Sequence, residues 1–291
     1  NYLYDNVMVQ RVHADPRVQS VQLLLQEQVP SRVPVETPHP DEDARAARRV
    51  EALVPITPWR VPINTPVPQV HVLSNGSYSV LITGSGGGYS RWRGKDLTRW
   101  RPDTTLDDWG TWLYVRDRDS GDVWSAGYQP TRVESESYEP LFFAHKAEFG
   151  RRDHDVSLRM EITVPPEDDV EVRRVTLTNH SDRRRYLTLT SYGEVVLAPH
   201  AVDRRHQAFN KLFIMSEYLP ELNGLSFRRR LRSADEEPIH LIHMVVPAEG
   251  RASVGGHEVD RAAFIGRGTT PRSPVALRDG ASAPPDLTGA P

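Results

Sequence analysis

Residues 156–164 read VSLRMEITV, and this stretch decides the fold class that the sequence predicts. Apolar side chains alternate with polar ones without exception, at Val156, Leu158, Met160, Ile162 and Val164. A period of two places the two sets on opposite faces of a β-strand. The stretch therefore predicts a strand with one face buried and the other in water.

Short strands of the same kind are predicted on both sides of this stretch. Their sequences are QVHVLS (69–74), YSVLIT (78–83), TWLYVRD (111–117), DVWSAGY (122–128), EVRRVTLTN (171–179), RRYLTLTSY (184–192) and HLIHMVV (240–246). Turn-forming residues at 119–122 and 179–182 predict hairpins between neighbouring strands. Many short strands at this spacing are typical of a mainly β, antiparallel sandwich or barrel.

Before residue 69 the pattern is helical. Asp15 and Pro16 supply a cap and a first-turn proline, and apolar residues then recur at helical spacing, which predicts a helix over 16–28. The prolines of residues 30–40 favour an extended linker. The stretch DEDARAARRVEAL (41–53) predicts a second helix.

Charge and composition exclude several classes of function. Lys and Arg number 36 against 39 Asp and Glu, a net charge of -3, so no overall positive field attracts nucleic acid or an anionic membrane. The absence of cysteine excludes disulfides, thiolate catalysis and Cys-ligated zinc, and favours a cytoplasmic compartment. The sequence has no apolar run long enough to predict membrane insertion. Because it starts with Asn1, we expect a piece of a longer protein.

Residues 86–101, GGGYSRWRGKDLTRWR, concentrate glycine, aromatic rings and positive charge. The glycines follow a predicted strand, but no Gly-Lys-Ser/Thr follows them and their spacing does not fit GxGxxG, which argues against a nucleotide loop. Aromatic planes beside guanidinium groups suit sugars or bases. They also suit core packing with cation-π contacts. The residues alone leave both interpretations open.

Other candidate sites carry weaker signals. His240 and His243 would point to opposite faces of a strand, so we expect no metal site there. Acidic residues are numerous, and they include Glu134, Glu136, Asp168, Asp169 and Glu194. Their spacing does not identify a general acid and a general base. We therefore predict no cofactor and no catalytic residue from spacing.

Several segments resemble a known family when taken in order. They are NGSYSVLITGSGGGYSRWRGKDLTRWRPD (75–103), WGTWLYVRDRDSGDVWSAGYQP (109–130), EDDVEVRRVTLTNHSDRRRYLTLTSYGEVVLAP (167–199) and FNKLFIMSEYLPEL (209–222). Together they resemble the amino-terminal part of the phosphorylase region of cyclic β-1,2-glucan synthases, in glycoside hydrolase family 94, formerly glycosyltransferase family 36. The stretch VHADPRVQSVQLLLQEQVP (12–30) resembles the end of the glycoamylase-like domain that precedes this region.

The resemblance implies a domain organisation. Residues 1–30 would end the preceding helical domain, 31–67 would form a Pro-rich linker with a helix, and 68–275 would form the domain itself. That domain would be an antiparallel super-β-sandwich, preceded by the short helical and linker segment. Residues 276–291 would be a loose tail or a truncated linker.

The resemblance also implies a function. The parent would be a glycosyltransferase or an inverting glycoside phosphorylase, with inorganic phosphate as co-substrate and its catalytic aspartate in an (α/α)₆ barrel. No run of long amphipathic helices follows Gln69, so we expect the fragment to be inactive alone, and to support glucan binding and that barrel. Contacts within a homodimer are also implied. The parent would be cytoplasmic, either free or attached to the inner membrane.

The resemblance assigns the arginine-rich stretch to a loop that lines the substrate cleft or lies between domains. The residues concerned are Tyr89, Ser90, Arg91, Trp92, Arg93, Arg99, Trp100 and Arg101. Arginines at such a site would supply hydrogen-bond donors for sugar hydroxyls or carboxylates. The alternative function is a stand-alone carbohydrate-binding or scaffold module.

Overall fold

The computed structural model describes residues 57–62, 65–103, 105–231, 236–247 and 252–278. The helices predicted at 16–28 and 41–53 lie outside the described residues, as does most of the predicted tail. The described ranges contain sixteen strands: β1 Trp59–Arg60, β2 Val70–Ser74, β3 Tyr78–Thr83, β4 Gly88–Trp92, β5 Lys95–Thr98, β6 Trp112–Asp117, β7 Val123–Ser125, β8 Ser137–Phe142, β9 Ala147–Asp153, β10 Val156–Thr163, β11 Val172–Asn179, β12 Leu187–Tyr192, β13 Val195–Pro199, β14 Ile214–Leu219, β15 Gly224–Arg229 and β16 His240–Met244.

The strands form four antiparallel sheets. Two have five strands, in the orders β1-β8-β9-β10-β11 and β13-β5-β4-β3-β2. Two have three strands, in the orders β12-β6-β7 and β14-β15-β16. Three short helices accompany them, α1 His200–Arg205, α2 Gln207–Lys211 and α3 Arg261–Ile265. The prediction of a mainly β, antiparallel fold is confirmed.

Strand β10, which contains the alternating stretch, pairs with β9 on one side and β11 on the other. Its apolar residues are almost fully buried, with Val156, Leu158, Met160 and Ile162 only 1 to 2% exposed. Residues between them are partly or fully accessible. The alternation therefore fixes which face of the sheet meets the core, because a shift of one residue would exchange the two faces.

All four sheets contribute side chains to one apolar core. The contributions include Val80 and Ile82 from β3, Val115 from β6, Met160 from β10 and Ile214 from β14. A second, smaller cluster joins β6 to the carboxy-terminal segment, through Trp112, Tyr114, Phe264, Ile265 and Leu277. Strand β6 thus contributes side chains to both clusters.

Several sequence predictions differ from the observed chain path. Residues 119–122 do connect the paired strands β6 and β7, but 179–182 do not form a hairpin, since β11 and β12 belong to different sheets. At the start of the domain, β1 pairs with β8 and Val61 is buried in the core, so sheet contacts begin before residue 68. At its end, Leu277 is buried, and packing continues into the segment that composition predicted to be loose.

Candidate functional site

The arginine-rich stretch contains a β-hairpin, whereas the resemblance assigned these residues to a loop. Tyr89, Ser90, Arg91 and Trp92 lie in β4, and β5 begins at Lys95. The turn between them consists of Arg93 and Gly94, with φ of 43° and 81°. Two consecutive positive φ angles are typical of the tight turns that join antiparallel strands. The hairpin is part of a five-stranded sheet, and its geometry is set by strand pairing.

The tip of the hairpin presents positive charge beside an aromatic ring. Arg91 and Arg93 are exposed. The guanidinium of Arg93 lies 4.8 Å from the centre of the Trp92 ring, and the indole N–H of Trp92 donates a hydrogen bond to Asp169. The ring is therefore held in place and covered by a cation, an arrangement that stabilises both groups.

A second aromatic surface lies where the hairpin ends. Tyr89 and Trp100 stack with ring centres 5.6 Å apart and an interplanar angle of 2°. Next to them, the guanidinium of Arg101 lies 5.0 Å from the centre of the Trp109 ring. All four side chains are partly exposed. Flat rings that are partly accessible and bordered by guanidinium groups are suited to contact sugar rings.

Two of the eight predicted residues point into the protein. Ser90 is 4% exposed, and its hydroxyl donates a hydrogen bond to Glu171. Arg99 is also 4% exposed, and its Nε and Nη2 donate to the two carboxylate oxygens of Asp203 at 2.8 and 2.7 Å. Bidentate pairing of this kind is geometrically specific and strong. The ion pair between Arg99 and Asp203 therefore links the end of β5 to helix α1.

Glu194 is the centre of the charge cluster around Arg99. It accepts hydrogen bonds from Arg99 and from Arg261, the latter at 2.7 Å, and it lies 3.6 Å from the ammonium of Lys211. Burial alone would raise the pKa of Glu194, but the hydrogen bond from Arg261 and the charges of Lys211 and Arg99 outweigh it and lower the pKa to about 2. Glu194 is therefore ionised at neutral pH.

Helix α2 joins the same cluster through Asn210, which is 2% exposed. Its side-chain amide donates to Asp203 at 3.2 Å and to the carbonyl of Val196 at 3.0 Å, and its oxygen accepts from Arg229. The cluster thus connects the hairpin, the short helices α1, α2 and α3, and strand β15. Its buried charges are paired, as burial requires.

A carboxylate and an imidazole face each other between β5 and α1. Nδ1 of His200 lies 2.7 Å from Oδ2 of Asp96. Asp96 is buried, which raises its pKa, while the hydrogen bond and charge of His200 act in the opposite direction. The His200 side chain is 43% exposed. A buried carboxylate that orients an accessible imidazole can position that ring for hydrogen bonding to a ligand.

The structure brings together residues that the sequence did not connect. Asp203, Asn210, His200 and Arg261 are absent from the predicted site, although each contacts its members or their partners. Arg99 and Asp203 are 104 positions apart. The segment 200–211, HAVDRRHQAFNK, follows Pro199 and combines charged residues and histidines with Phe209. This composition is the local sequence signal of a buried polar cluster.

Metal-binding and membrane-crossing features are both absent from the described ranges. These residues contain no group of three or more His, Asp or Glu side chains placed to hold a metal ion. His243, one of the two histidines considered above, instead lies 2.8 Å from the hydroxyl of Ser191. No helix in this part of the chain combines the length and apolar character that crossing a membrane requires.

Comparison with known proteins identifies relatives of the chain. Residues 59–286 match the glycosyl hydrolase 94 supersandwich domain. The chain is 35% identical over 283 residues to the cyclic beta-(1,2)-glucan synthase NdvB of Rhizobium meliloti (strain 1021). The aligned residues cover 97% of this chain and 10% of that protein. It is 26% identical over 164 residues to the N,N'-diacetylchitobiose phosphorylase of Vibrio proteolyticus, covering 55% of this chain and 20% of the relative.

A third relative is the 3-O-beta-D-glucopyranosyl-beta-D-glucuronide phosphorylase of Paenibacillus borealis. It is 29% identical over 126 residues, which cover 43% of this chain and 16% of that protein. The chain therefore spans between a tenth and a fifth of the length of these three relatives.

Proposed function

Since the chain belongs to the glycosyl hydrolase 94 supersandwich family, we propose that it is a non-catalytic domain of a carbohydrate-active enzyme of the glucan synthase or glycoside phosphorylase type. In this proposal, the domain contributes the hairpin β4–β5 to a surface that contacts a β-linked glucan and supports an (α/α)₆ barrel. Inorganic phosphate would be a co-substrate of the whole enzyme. The similarity to a cyclic glucan synthase supports a glucan as the ligand.

The observation that carries the proposal is the match of residues 59–286 to the glycosyl hydrolase 94 supersandwich domain, and the state of Glu194 agrees with a structural role. An inverting phosphorylase needs a carboxylic acid that still holds its proton near neutral pH, so that it can protonate the glycosidic oxygen. The pKa of Glu194 is lowered to about 2, and Asp203 is occupied by Arg99. Both carboxylates therefore hold neighbouring elements together, and Glu194 is unsuited to proton donation.

The exposed groups of the hairpin support contact with sugar. The Tyr89 and Trp100 stack offers an aromatic face, and the guanidinium groups of Arg91 and Arg93 offer several donors each. Sugar rings present C–H faces edged with hydroxyl groups, which aromatic rings and guanidinium groups complement. The buried cluster behind the hairpin fixes its position, and pre-organisation lowers the entropic cost of binding.

Partners and compartment follow from the same proposal. The barrel would belong to the same parent chain, and a second copy of the protein would complete a homodimer. The parent would be cytoplasmic, either free or attached to the inner membrane. A stand-alone carbohydrate-binding module is the competing function, and it shares the sugar-binding hairpin.

The experiment measures reaction and binding separately. We expect the purified chain to release no glucose 1-phosphate from β-1,2-linked gluco-oligosaccharides in the presence of phosphate, since in this proposal the catalytic aspartate belongs to the barrel. In the full-length parent, Arg93→Ala should raise the KM for the oligosaccharide several-fold. Arg118→Ala, at an exposed position after β6, is the matched control. Turnover by the isolated chain, or an unchanged KM in the Arg93 variant, would contradict the proposal.

The same assay distinguishes the competing function. If the gene for this chain encodes no barrel and the chain alone retains oligosaccharide binding, then a binding module is supported in place of an enzyme domain. If binding needs the parent enzyme, the enzyme-domain proposal is supported. Isothermal titration calorimetry of the chain and of the parent supplies this comparison.

A further inference from the structure

A cleft of about 240 Å³ opens at the end of β3, on residues outside the predicted site. Its lining includes Gly84, Ser85, Asp107, Tyr128 and Arg132. Pro62, Pro68 and Leu106 add apolar surface. Clefts for drug-sized ligands usually enclose about 300 to 1,000 Å³, so this one suits a smaller ligand such as a single ring.

The backbone beneath the cleft is held by glycine contacts. A Cβ on Gly127 would lie 2.4 Å from the carbonyl oxygen of Ser85, and one on Gly86 would lie 2.9 Å from Cα of Gly127. The amide of Gln129 also donates to the carbonyl of Ser85 at 3.0 Å. The backbones of the two segments are therefore in close contact, and glycine is required at both positions because a Cβ would overlap the facing backbone.

Two residues beside the cleft have backbone conformations that side-chain-bearing residues rarely adopt. Asp107 has φ of 46° and Arg132 has φ of 55°. Left-handed conformations of such residues cost free energy and persist where the surroundings hold them in place. Here the Arg132 guanidinium donates to the carbonyl of Leu106 at 3.1 Å and to Oε1 of Gln129 at 3.3 Å. The strained segments are thus tied to each other across the cleft.

The polar groups that line the cleft include one acidic and one basic side chain, Asp107 and Arg132. Ser85 donates its hydroxyl to Oδ2 of Asp107, while the buried Oδ1 of Asp107 has no hydrogen-bond partner among the described residues. Arg132 supplies guanidinium donors on another side. Because Asp107 and Arg132 both line the cleft, an anion would lie near a carboxylate and a cation near a guanidinium, which favours a neutral ligand with hydroxyl groups. Tyr128 adds an aromatic ring and a hydroxyl group.

We infer that this cleft binds one sugar residue of a glucan chain, at a site separate from the hairpin β4–β5. The inference rests on the proposed function for the class of ligand, and on the cleft itself for the place. Arg132 and the Ser85 hydroxyl, which Asp107 orients, would bind hydroxyl groups of the sugar, and Tyr128 with the prolines would contact the apolar part of the ring. A domain with two such contacts would hold a glucan chain at two points, which strengthens binding through effective concentration.

The test follows binding at the cleft itself. The 291-residue chain is titrated with the β-1,2-linked disaccharide of glucose, while the backbone amides of Ser85 and Gln129 are followed by ¹H–¹⁵N NMR. We expect their signals to shift with saturation. Arg132→Gln and Tyr128→Leu should each weaken this binding about tenfold, as the loss of a charged hydrogen bond or an aromatic contact does.

Control variants separate the cleft from the hairpin. Arg118→Gln should leave the titration unchanged, and thermal melts confirm that each variant is folded. Arg93→Gln removes an arginine that also has a positive φ, but in the hairpin turn. If Arg93→Gln weakens binding and the cleft variants do not, then the cleft inference is overturned while the proposed function stands.

Two further outcomes also decide the matter. If the disaccharide shifts no signal at the cleft or at the hairpin, both the inference and the sugar-binding part of the proposed function are contradicted. If inorganic phosphate alone shifts the cleft signals and the disaccharide does not, the cleft is an anion site, and the assignment to a neutral sugar is wrong.

Discussion

Arg99 and Asp203 form a bidentate ion pair across 104 positions of sequence, with Nε to Oδ2 at 2.8 Å and Nη2 to Oδ1 at 2.7 Å. Their side chains are 3% and 8% exposed. The pair joins the end of the hairpin to helix α1, and it is one contact in a cluster that also includes Glu194 and Asn210.

Removal of one partner should therefore be costly. Arg99→Ala leaves Asp203 and Glu194 buried beside fewer cations, and we expect the free energy of unfolding to fall by about 3 to 5 kcal/mol. Urea denaturation measures this change. Arg118→Ala, at an exposed position, should change the same quantity by less than about 0.5 kcal/mol. An Arg99→Ala variant as stable as the parent would show that the cluster does not hold the hairpin.

The low pKa of Glu194 predicts a stability that depends on pH. Because the folded-state pKa of about 2 lies below the ordinary value of 4.5, the contribution is complete above pH 4.5 and is lost as the pH falls towards 2. The shift corresponds to about 3 kcal/mol at neutral pH. Unfolding by urea at pH 7 and at pH 3 measures it. Glu194→Gln should lower stability at pH 7 and flatten this part of the profile, and an unchanged profile would contradict the assignment.

The close approach at Gly127 predicts a strict requirement for glycine. Gly127→Ala places a methyl group 2.4 Å from the carbonyl of Ser85, so backbone must move, and we expect a loss of about 1 to 3 kcal/mol. A Cβ on Gly255 would have no atom within 4 Å, and Gly255 has no positive φ, so Gly255→Ala is the matched control. Equal melting temperatures for the two variants would refute the contact.

The alternation in β10 predicts losses of stability of different size for neighbouring substitutions. Leu158→Ala removes a side chain that is 2% exposed, and we expect a loss of about 2 to 5 kcal/mol from the cavity and the lost burial. Ser157→Ala, on the other face, should cost about 1 kcal/mol or less, through its contact with His180. Chemical denaturation of both variants measures the difference. Similar losses would mean that the two faces are not distinguished.

The sequence predicted the strands whose apolar residues alternate cleanly, such as β10, but it missed strands whose buried positions carry charge. Strand β9 is an example. Arg151 and Asp153 lie on its buried face, 3% exposed each, and pair with each other at 2.6 Å. Because the paired residues Arg151 and Asp153 are two positions apart, both side chains point to the buried face. They are charged, however, so the sequence shows no alternation of apolar and polar residues there. Hydropathy therefore could not reveal that strand.

The sequence grouped the residues of the candidate site, but it did not give their arrangement in space. Local sequence identified the hairpin residues as a group, and six of the eight are partly or fully accessible. The expectation of a loop came from the resemblance. The turn, however, uses Arg93 and Gly94, where Asn-Gly or Asp-Gly would have signalled a hairpin. Contacts such as Arg99 with Asp203 depend on tertiary structure, and a single sequence contains no signal for them.

The second apolar cluster has a practical consequence for where this domain can be cut. The segment from α3 to Leu277 covers the outer side of β6, and the hydroxyl of Tyr114 donates to the carbonyl of Pro271 at 2.6 Å. An expression boundary placed before residue 261 would uncover Trp112 and Tyr114, which are 2% and 0% exposed. Two bare aromatic side chains on a strand would favour aggregation, so a protein designed for study should end beyond Leu277.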